Sequence, residues 1–174
     1  MKPNYKTLLN HISTFIFDVD GVLTDGSVML LPGQEPIRTF DSKDAFAMQH
    51  AIKKGYRIAI ITGGRSETVK ERMQFLGVQD VYLGASNKIE KLEELMYMHD
   101  LKKEEMLYMG DDLPDYEAMA ACGVACTPND GAPEIKAIAD YVSPKAGGRG
   151  CVRDVIEQTL KVQGKWGQPG SHVW

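Results

Sequence analysis

The chain has no block of basic residues, only 3 cysteines in 174 residues, and no apolar run near the roughly 20 residues that a membrane-crossing helix needs. Each shortage excludes something. Binding to a phosphate backbone or an anionic membrane surface calls for clustered Lys and Arg, whereas here 20 Lys and Arg face 24 Asp and Glu, for a net charge of −4. No nucleic-acid or membrane partner is therefore expected. An odd number of cysteines in a chain long enough to bury a core argues against a disulfide framework. Cys122 and Cys126 have no nearby His, so they read as small buried hydrophobes rather than zinc ligands. The opening Met1-Lys2-Pro3-Asn4-Tyr5-Lys6 lacks the apolar stretch and cleavage site of a secretory signal, and with the cysteine usage it predicts a cytoplasmic protein. The hydrophobic share of 43% and charged share of 25% are ordinary for a globular protein, and one domain over residues 1–174 is expected.

What is there is an alternation of strand-like and helix-like segments. Strands are predicted near 13–18, 57–62, 80–83, 105–109, 123–126 and 140–142. The near-continuous apolar run Arg57-Ile58-Ala59-Ile60-Ile61 has the character of a strand covered on both faces. Helical spacing appears over 43–54 (Ala45, Met48, Ile52), 87–98 (Ile89, Leu92, Leu95, Met96) and 151–162 (Val152, Val155, Ile156, Leu160). Strands alternating with helices imply βαβ units, hence an α/β, doubly wound parallel sheet with Rossmann-like topology. Ser27–Leu31 and Ile37–Phe40 around Pro32-Gly33 predict a β-hairpin flap over about 26–41, inserted directly after the first strand. The tail, about 164–174, has no helical period; its Trp166 and Trp174 are either exposed in a disordered segment or docked on a neighbouring subunit.

Four polar clusters fall at the ends of predicted strands. In Phe15-Ile16-Phe17-Asp18-Val19-Asp20-Gly21, alternation along a strand points Asp18 and Asp20 the same way. Two such charges about 4 Å apart repel by roughly 4 kcal/mol at an effective dielectric near 20. A cation, or a proton held for chemistry, relieves that repulsion; an acidic turn is the plainer alternative. Thr62-Gly63-Gly64 offers a hydroxyl and backbone N–H groups at a helix start, suited to an anion, although a tight turn explains the glycines equally well. Asn87 and Glu90 resemble a capping box, which places Lys88 in a first helical turn, against the dipole unless it meets a negative charge. In Gly110-Asp111-Asp112-Leu113-Pro114-Asp115, Asp112 and Asp115 fit capping positions, and Asp111 is left over. All four clusters lie on one rim of the sheet, as a site for a phosphate and a hard divalent cation would.

At these residues the chain resembles the haloacid dehalogenase superfamily, whose four motifs match Asp18-Val19-Asp20-Gly21-Val22, Thr62, Lys88 and Gly110–Asp115 in order. Within it, the chain is similar to a small capless group that includes phosphatases of octulosonate 8-phosphate and of nine-carbon acidic sugars. Gly21–Gly26, Gln74–Val78, Ser86-Asn87-Lys88 and Gly147-Gly148-Arg149-Gly150 add to the likeness, which covers about residues 10–165. Two departures fall where sugar recognition is expected. Gly64 stands where the group often has Arg or Glu, and Lys43 and Ala45 stand where octulosonate phosphatases tend to have Arg and Gly.

The resemblance implies a phosphomonoesterase without a separate cap domain, acting on an acidic keto-sugar phosphate through an aspartyl-phosphate. Asp18 would be the nucleophile and Asp20 the acid and base. Mg²⁺ would be held by Asp18, Asp111 and the main-chain carbonyl of Asp20. Thr62, Gly63 and Lys88 would bind the phosphoryl group, with Asp112 or Asp115 orienting Lys88 and the metal's waters. Arg72, then Arg65 and Arg149, are candidates for the substrate carboxylate, with Asn87 beside them. A capless site also implies closure by a homotetramer, with flap and tail reaching neighbouring sites. A signalling receiver domain shares the residue types but places its acidic pair first and its lysine last. A silent ligand-binding relative and a phosphatase for nine-carbon sugar 9-phosphates or other small esters are the remaining alternatives.

Overall fold

The computed structural model describes residues 4–168. Six strands, β1 Thr14–Phe17, β2 Arg57–Ile61, β3 Asp80–Tyr82, β4 Met106–Met109, β5 Val124–Thr127 and β6 Tyr141–Val142, form one sheet in the order β3-β2-β1-β4-β5-β6. Every pairing is parallel. Seven helices accompany them: α1 Tyr5–Leu8, α2 Ser42–Lys53, α3 Glu67–Phe75, α4 Lys88–His99, α5 Tyr116–Ala121, α6 Pro133–Ile138 and α7 Cys151–Val162. The expected α/β doubly wound sheet is present. Each expected strand, and each of the helices read from 43–54, 87–98 and 151–162, lies within one residue of its predicted ends.

Alternation along the strands divides the core. Phe15, Phe17, Ile58, Ile60, Leu107 and Met109 face α2, α3 and α7, where Met48, Met73, Val152 and Ile156 bury their apolar faces. Ile16, Ala59, Ile61, Met106 and Tyr108 face the opposite layer with Leu92 and Leu95 of α4, Ala118 and Met119 of α5 and Ile135 of α6. Burying such a side chain contributes about 1.5–3 kcal/mol. Both layers hold the strands in register, and register decides what emerges at their ends.

Two expectations change. The flap is not a two-stranded hairpin. Met29 and Ile37 exchange N–H···O bonds of 3.0 and 2.9 Å in a single antiparallel bridge, and no strand extends from it. Pro32 and Pro36 supply no N–H to a ladder, and Val28, Met29, Leu30 and Ile37 are exposed, so no buried face organises the pairing. The near part of the tail is not free either. Lys165 N donates to Leu160 O at 2.7 Å, and Trp166 lies edge-on to His50 at 5.2 Å and under the Arg153 guanidinium at 5.4 Å. Trp166 thus docks on its own chain, against His50 and Arg153, which in turn both pack on Phe46. Trp174 lies outside the described residues. No helix among the described residues is long and apolar enough to cross a membrane.

Candidate active site

The register aligns Phe17 with Ile60 and Met109, so Asp18, Thr62 and Asp111 leave their strands along one rim, beside the point where strand order reverses. Asp18 N donates to Met109 O at 3.2 Å, and Thr62 N to Tyr82 O at 3.0 Å, extending the ladders just past the strand ends. Lys88 is the first residue of α4 and is buried, anchored by the packing of Leu92 and Leu95 below it. The expected capping box is absent. Asn87 Nδ2 reaches Glu90 Oε1 at 2.9 Å, and no side chain caps the helix start.

Lys88 is the hub. Its Nζ lies 3.0 Å from Asp18 Oδ1 and 2.6 Å from Asp115 Oδ1. Asp115 is almost fully enclosed: Tyr108 donates to Oδ1 at 2.9 Å, and Asp111 N donates to Oδ2 at 3.2 Å. Asp112 begins the turn that carries Asp115, in a capping-box arrangement. Asp18 Oδ1 also accepts from Val19 N at 2.7 Å. One oxygen from each of Asp18, Asp111 and Asp115 lies within 4.8 Å of the others.

Three carboxylates against one ammonium leave this hollow short of positive charge. Burial, reinforced by the Asp115 carboxylate and opposed by Lys88, pushes Asp18 up to about 7. Burial and Asp115 likewise push Asp111 up to about 6. For Lys88, burial works against the charge, but Asp18 and Asp115 outweigh it and hold the ammonium above its ordinary value. Carboxylate oxygens are hard donors, and a divalent cation fits this charge deficit. Because Asp115 has both oxygens engaged by Lys88, Tyr108 and backbone amides, Asp18 and Asp111 are the carboxylates left to offer a ligand oxygen.

The backbone is shaped around that hollow. Gly21 has φ +91°, and a Cβ on it would lie 2.0 Å from Asp111 Oδ2. Gly147 approaches so closely that a Cβ would lie 2.0 Å from Gly21 O, which explains why a glycine-rich loop backs the turn after β1. Replacing Gly21 by Ala should therefore displace Asp111 and cost about 1–3 kcal/mol of stability. Thermal unfolding with and without Mg²⁺ checks this, with a reduced metal-induced shift expected in the variant.

Thr62 is buried, and its Oγ1 accepts from Gly64 N at 3.1 Å, which leaves the hydroxyl proton for an acceptor in the hollow. Gly63 is exposed beside it. Asp20 stands apart from the carboxylate trio: Arg38 Nε lies 2.7 Å from its Oδ1 and Nη2 3.1 Å from its Oδ2. Beyond this pair, a cavity of about 540 Å³ opens between the flap and α3, lined by Glu35, Arg38, Phe40, Ser66, Val69 and Arg72 among others. Of the arginines singled out by sequence, Arg72 reaches this cavity, with its guanidinium over Phe75 at 5.6 Å. Arg65 is exposed and lies along Gly84, Arg149 is exposed and 3.5 Å from Asp25, and Asn87 is exposed; none of the three lines the cavity. Arg38 and Tyr108 were not visible as site residues from sequence. For Tyr108, the one signal is a phenol within a fully buried strand, which calls for a polar partner. Arg38 lies in a segment without periodicity, so no pattern marks it.

Comparison with known proteins supports the same reading. Residues 77–156 match the haloacid dehalogenase-like hydrolases. The octulosonate 8-phosphate phosphatase of Salmonella typhimurium is 35% identical over 165 residues, covering 95% of this chain and 88% of the relative. The chain belongs to the haloacid dehalogenase-like hydrolases. It is a phosphoric monoester hydrolase of that family, which removes the receiver-domain alternative. The crystal structure of the Yersinia pestis octulosonate 8-phosphate phosphatase superposes with a TM-score of 0.91 at 32% identity, covering 95% of this chain and 89% of that one. The Moraxella catarrhalis enzyme, solved in complex with magnesium, phosphate and KDO, superposes with a TM-score of 0.88 at 33% identity, with 91% of each chain covered.

Proposed function

We propose that this haloacid dehalogenase-like hydrolase removes phosphate from an acidic keto-sugar phosphate, 3-deoxy-D-manno-octulosonate 8-phosphate first among them, with Mg²⁺ as cofactor. The observation that carries the chemistry is the pairing of buried Lys88 with both Asp18 and Asp115 beside Asp111. The substrate assignment is supported by the relatives' own activity over most of their length and by the cavity that brings Arg72 and Arg38 together next to Asp20.

In this reading, Val19 N and Lys88 hold the Asp18 carboxylate in place, and one of its oxygens attacks phosphorus to form an aspartyl-phosphate. Asp20 protonates the departing sugar oxygen and then takes a proton from the water that cleaves the intermediate. The Thr62 hydroxyl and the Gly63 amide donate to phosphoryl oxygens, and Lys88 neutralises charge between nucleophile and phosphate. Asp115, fixed by Tyr108 and two amides, keeps the Lys88 ammonium in place. Asp18 and Asp111, with the main-chain carbonyl of Asp20, would hold Mg²⁺, which when bound offsets repulsion between the attacking carboxylate and the phosphate.

Arg72 is assigned to the substrate carboxylate. Arg72→Ala should raise KM for acidic-sugar phosphates roughly tenfold or more while leaving p-nitrophenyl phosphate within about twofold, as expected for loss of one charge-assisted contact. A uniform loss on both esters would remove that role. The apolar flap residues Val28, Met29, Leu30 and Ile37, all exposed, support closure of the site in a homo-oligomer, a tetramer by resemblance. The buried free thiols Cys122, Cys126 and Cys151 support a reducing, cytoplasmic setting. A phosphate-release screen across eight- and nine-carbon keto-acid phosphates with Mg²⁺ tests the whole reading. Fastest release from the octulosonate ester is expected. Preference for a nine-carbon ester would move the substrate, and no release from any ester would leave a silent relative.

A further inference from the structure

Arg38 is the charged residue at this site that the proposed chemistry leaves unused, and its position is not neutral. Its guanidinium forks onto both oxygens of Asp20, at 2.7 and 3.1 Å, while Nη1 donates to Pro36 O at 3.1 Å. Planar two-point pairing of this kind is among the strongest side-chain contacts. It also occupies the carboxylate whose oxygens have to face the leaving group and the water. The Arg38 side chain is 11% exposed, so the pair is sheltered on the arginine side, while Asp20 at 36% remains open. Arg38 sits between two spaces: it lines the small recess with Asp20, Thr62 and Gly64, and it lines the 540 Å³ cavity with Arg72. A second tether ties the same segment down, the Ser66 hydroxyl donating to Glu35 Oε2 at 2.7 Å.

We infer that Arg38 is a substrate-responsive latch: it occupies Asp20 in the free enzyme and is drawn off by an anionic group on the leaving half of the substrate as that group enters the flap cavity. This rests on the phosphatase reading above and adds a selection step to it. An ester with a carboxylate on its leaving group gives the guanidinium a second anion and frees Asp20. A neutral sugar phosphate does not, so Asp20 stays paired for part of the time in the bound complex. Discrimination against neutral esters then appears in kcat, whereas Arg72 acts through KM. No bond is made or broken in the latch step, which exchanges one ion pair for another.

The test compares wild type, Arg38→Gln and Arg38→Lys on the octulosonate 8-phosphate ester and on glucose 6-phosphate, with saturating Mg²⁺. In Arg38→Gln, kcat for glucose 6-phosphate should rise roughly fivefold with little change in KM, as expected when a partly exposed forked pair is removed. For the acidic ester, KM should rise by a similar factor and kcat should hold. Lys supplies one donor point rather than a fork, and it should fall between the two for both esters. A merely structural arginine would lower kcat for both esters together, and that result, or an unchanged ratio of the two kcat values, overturns the latch. If wild type hydrolyses neutral phosphates well and the acidic esters poorly, the substrate reading falls and the latch with it; if wild type prefers the acidic ester and the ratio is unmoved by Arg38→Gln, the latch alone falls.

Discussion

Replacing Asp18 by Asn is expected to lower phosphate release by roughly 10⁴-fold or more, the scale seen when a covalent nucleophile is removed, and at the same time to stabilise the metal-free fold above neutral pH. The second half of this result separates it from ordinary damage. Asp18 is buried and its carboxyl is pushed up to about 7 by burial and by the Asp115 carboxylate, despite Lys88. A carboxyl raised above its unfolded value, near 4, holds its proton more tightly in the native state. Its contribution is complete below pH 4 and is lost as pH climbs towards about 7. Asn cannot ionise, so the variant should match wild type in acid and exceed it at pH 8. A melting-temperature gain of about 2–4 °C corresponds to roughly 1 kcal/mol for a chain of this size. Lys88 keeps Asp115 at 2.6 Å, so the ammonium is not stranded. Adding Mg²⁺ should reverse the order, because wild type keeps the ligand oxygen that the variant has lost. Thermal unfolding at pH 5 and pH 8, with and without Mg²⁺, measures all four states. A variant less stable than wild type at pH 8 without metal would contradict the charge account of the hollow.

The second large effect is expected at Asp20. Asp20→Asn should reduce turnover of a sugar phosphate by about 10²–10⁴-fold, the range general acid–base groups supply. Phosphorylation by p-nitrophenyl phosphate should persist, because its leaving group departs without a proton. The Mg²⁺-induced stabilisation should also persist, since the Asp20 side chain lies outside the Asp18–Asp111–Asp115 trio. Rapid mixing with p-nitrophenyl phosphate should show one enzyme equivalent of nitrophenol released fast, then slow turnover as the intermediate waits for its base. Equal turnover of sugar phosphate by variant and wild type would refute the acid and base assignment.

Periodicity made the frame legible. Continuous apolar runs such as Ile58–Ile61 announce strands covered on both faces, and Leu92, Leu95, Val155 and Ile156 recur at helical spacing because each has to meet a sheet face. Once the order of elements implies a parallel sheet, the ends of β1, β2 and β4 share a rim, and Asp18, Thr62 and Asp111 converge as a consequence of topology. Lys88 was legible for a related reason, as a cation against a helix dipole that needed an anion nearby. The flap was not. A segment with two prolines and exposed apolar side chains carries no period, so neither its loss of ladder pairing nor the reach of Arg38 to Asp20, 18 residues earlier, follows from spacing. The same holds for Tyr108, whose hydroxyl partner is decided by where the turn Leu113–Asp115 brings Asp115 back against β4. The inward fold of Trp166 depends on His50, far from it in sequence, and on Arg153 of the preceding helix, and no spacing links the three.

Covalent capture of phosphate by Asp18 is the step that every other residue role at this site serves. Acid-quenched Asp20→Asn, mixed with p-nitrophenyl phosphate and Mg²⁺ and read by peptide mass spectrometry, measures that directly. A single phosphoryl group on the peptide carrying Asp18, absent when Mg²⁺ is omitted and absent from the Asp18→Asn variant, is the predicted result. Nitrophenol release without any phosphorylated peptide, or phosphate found on another residue, would contradict it.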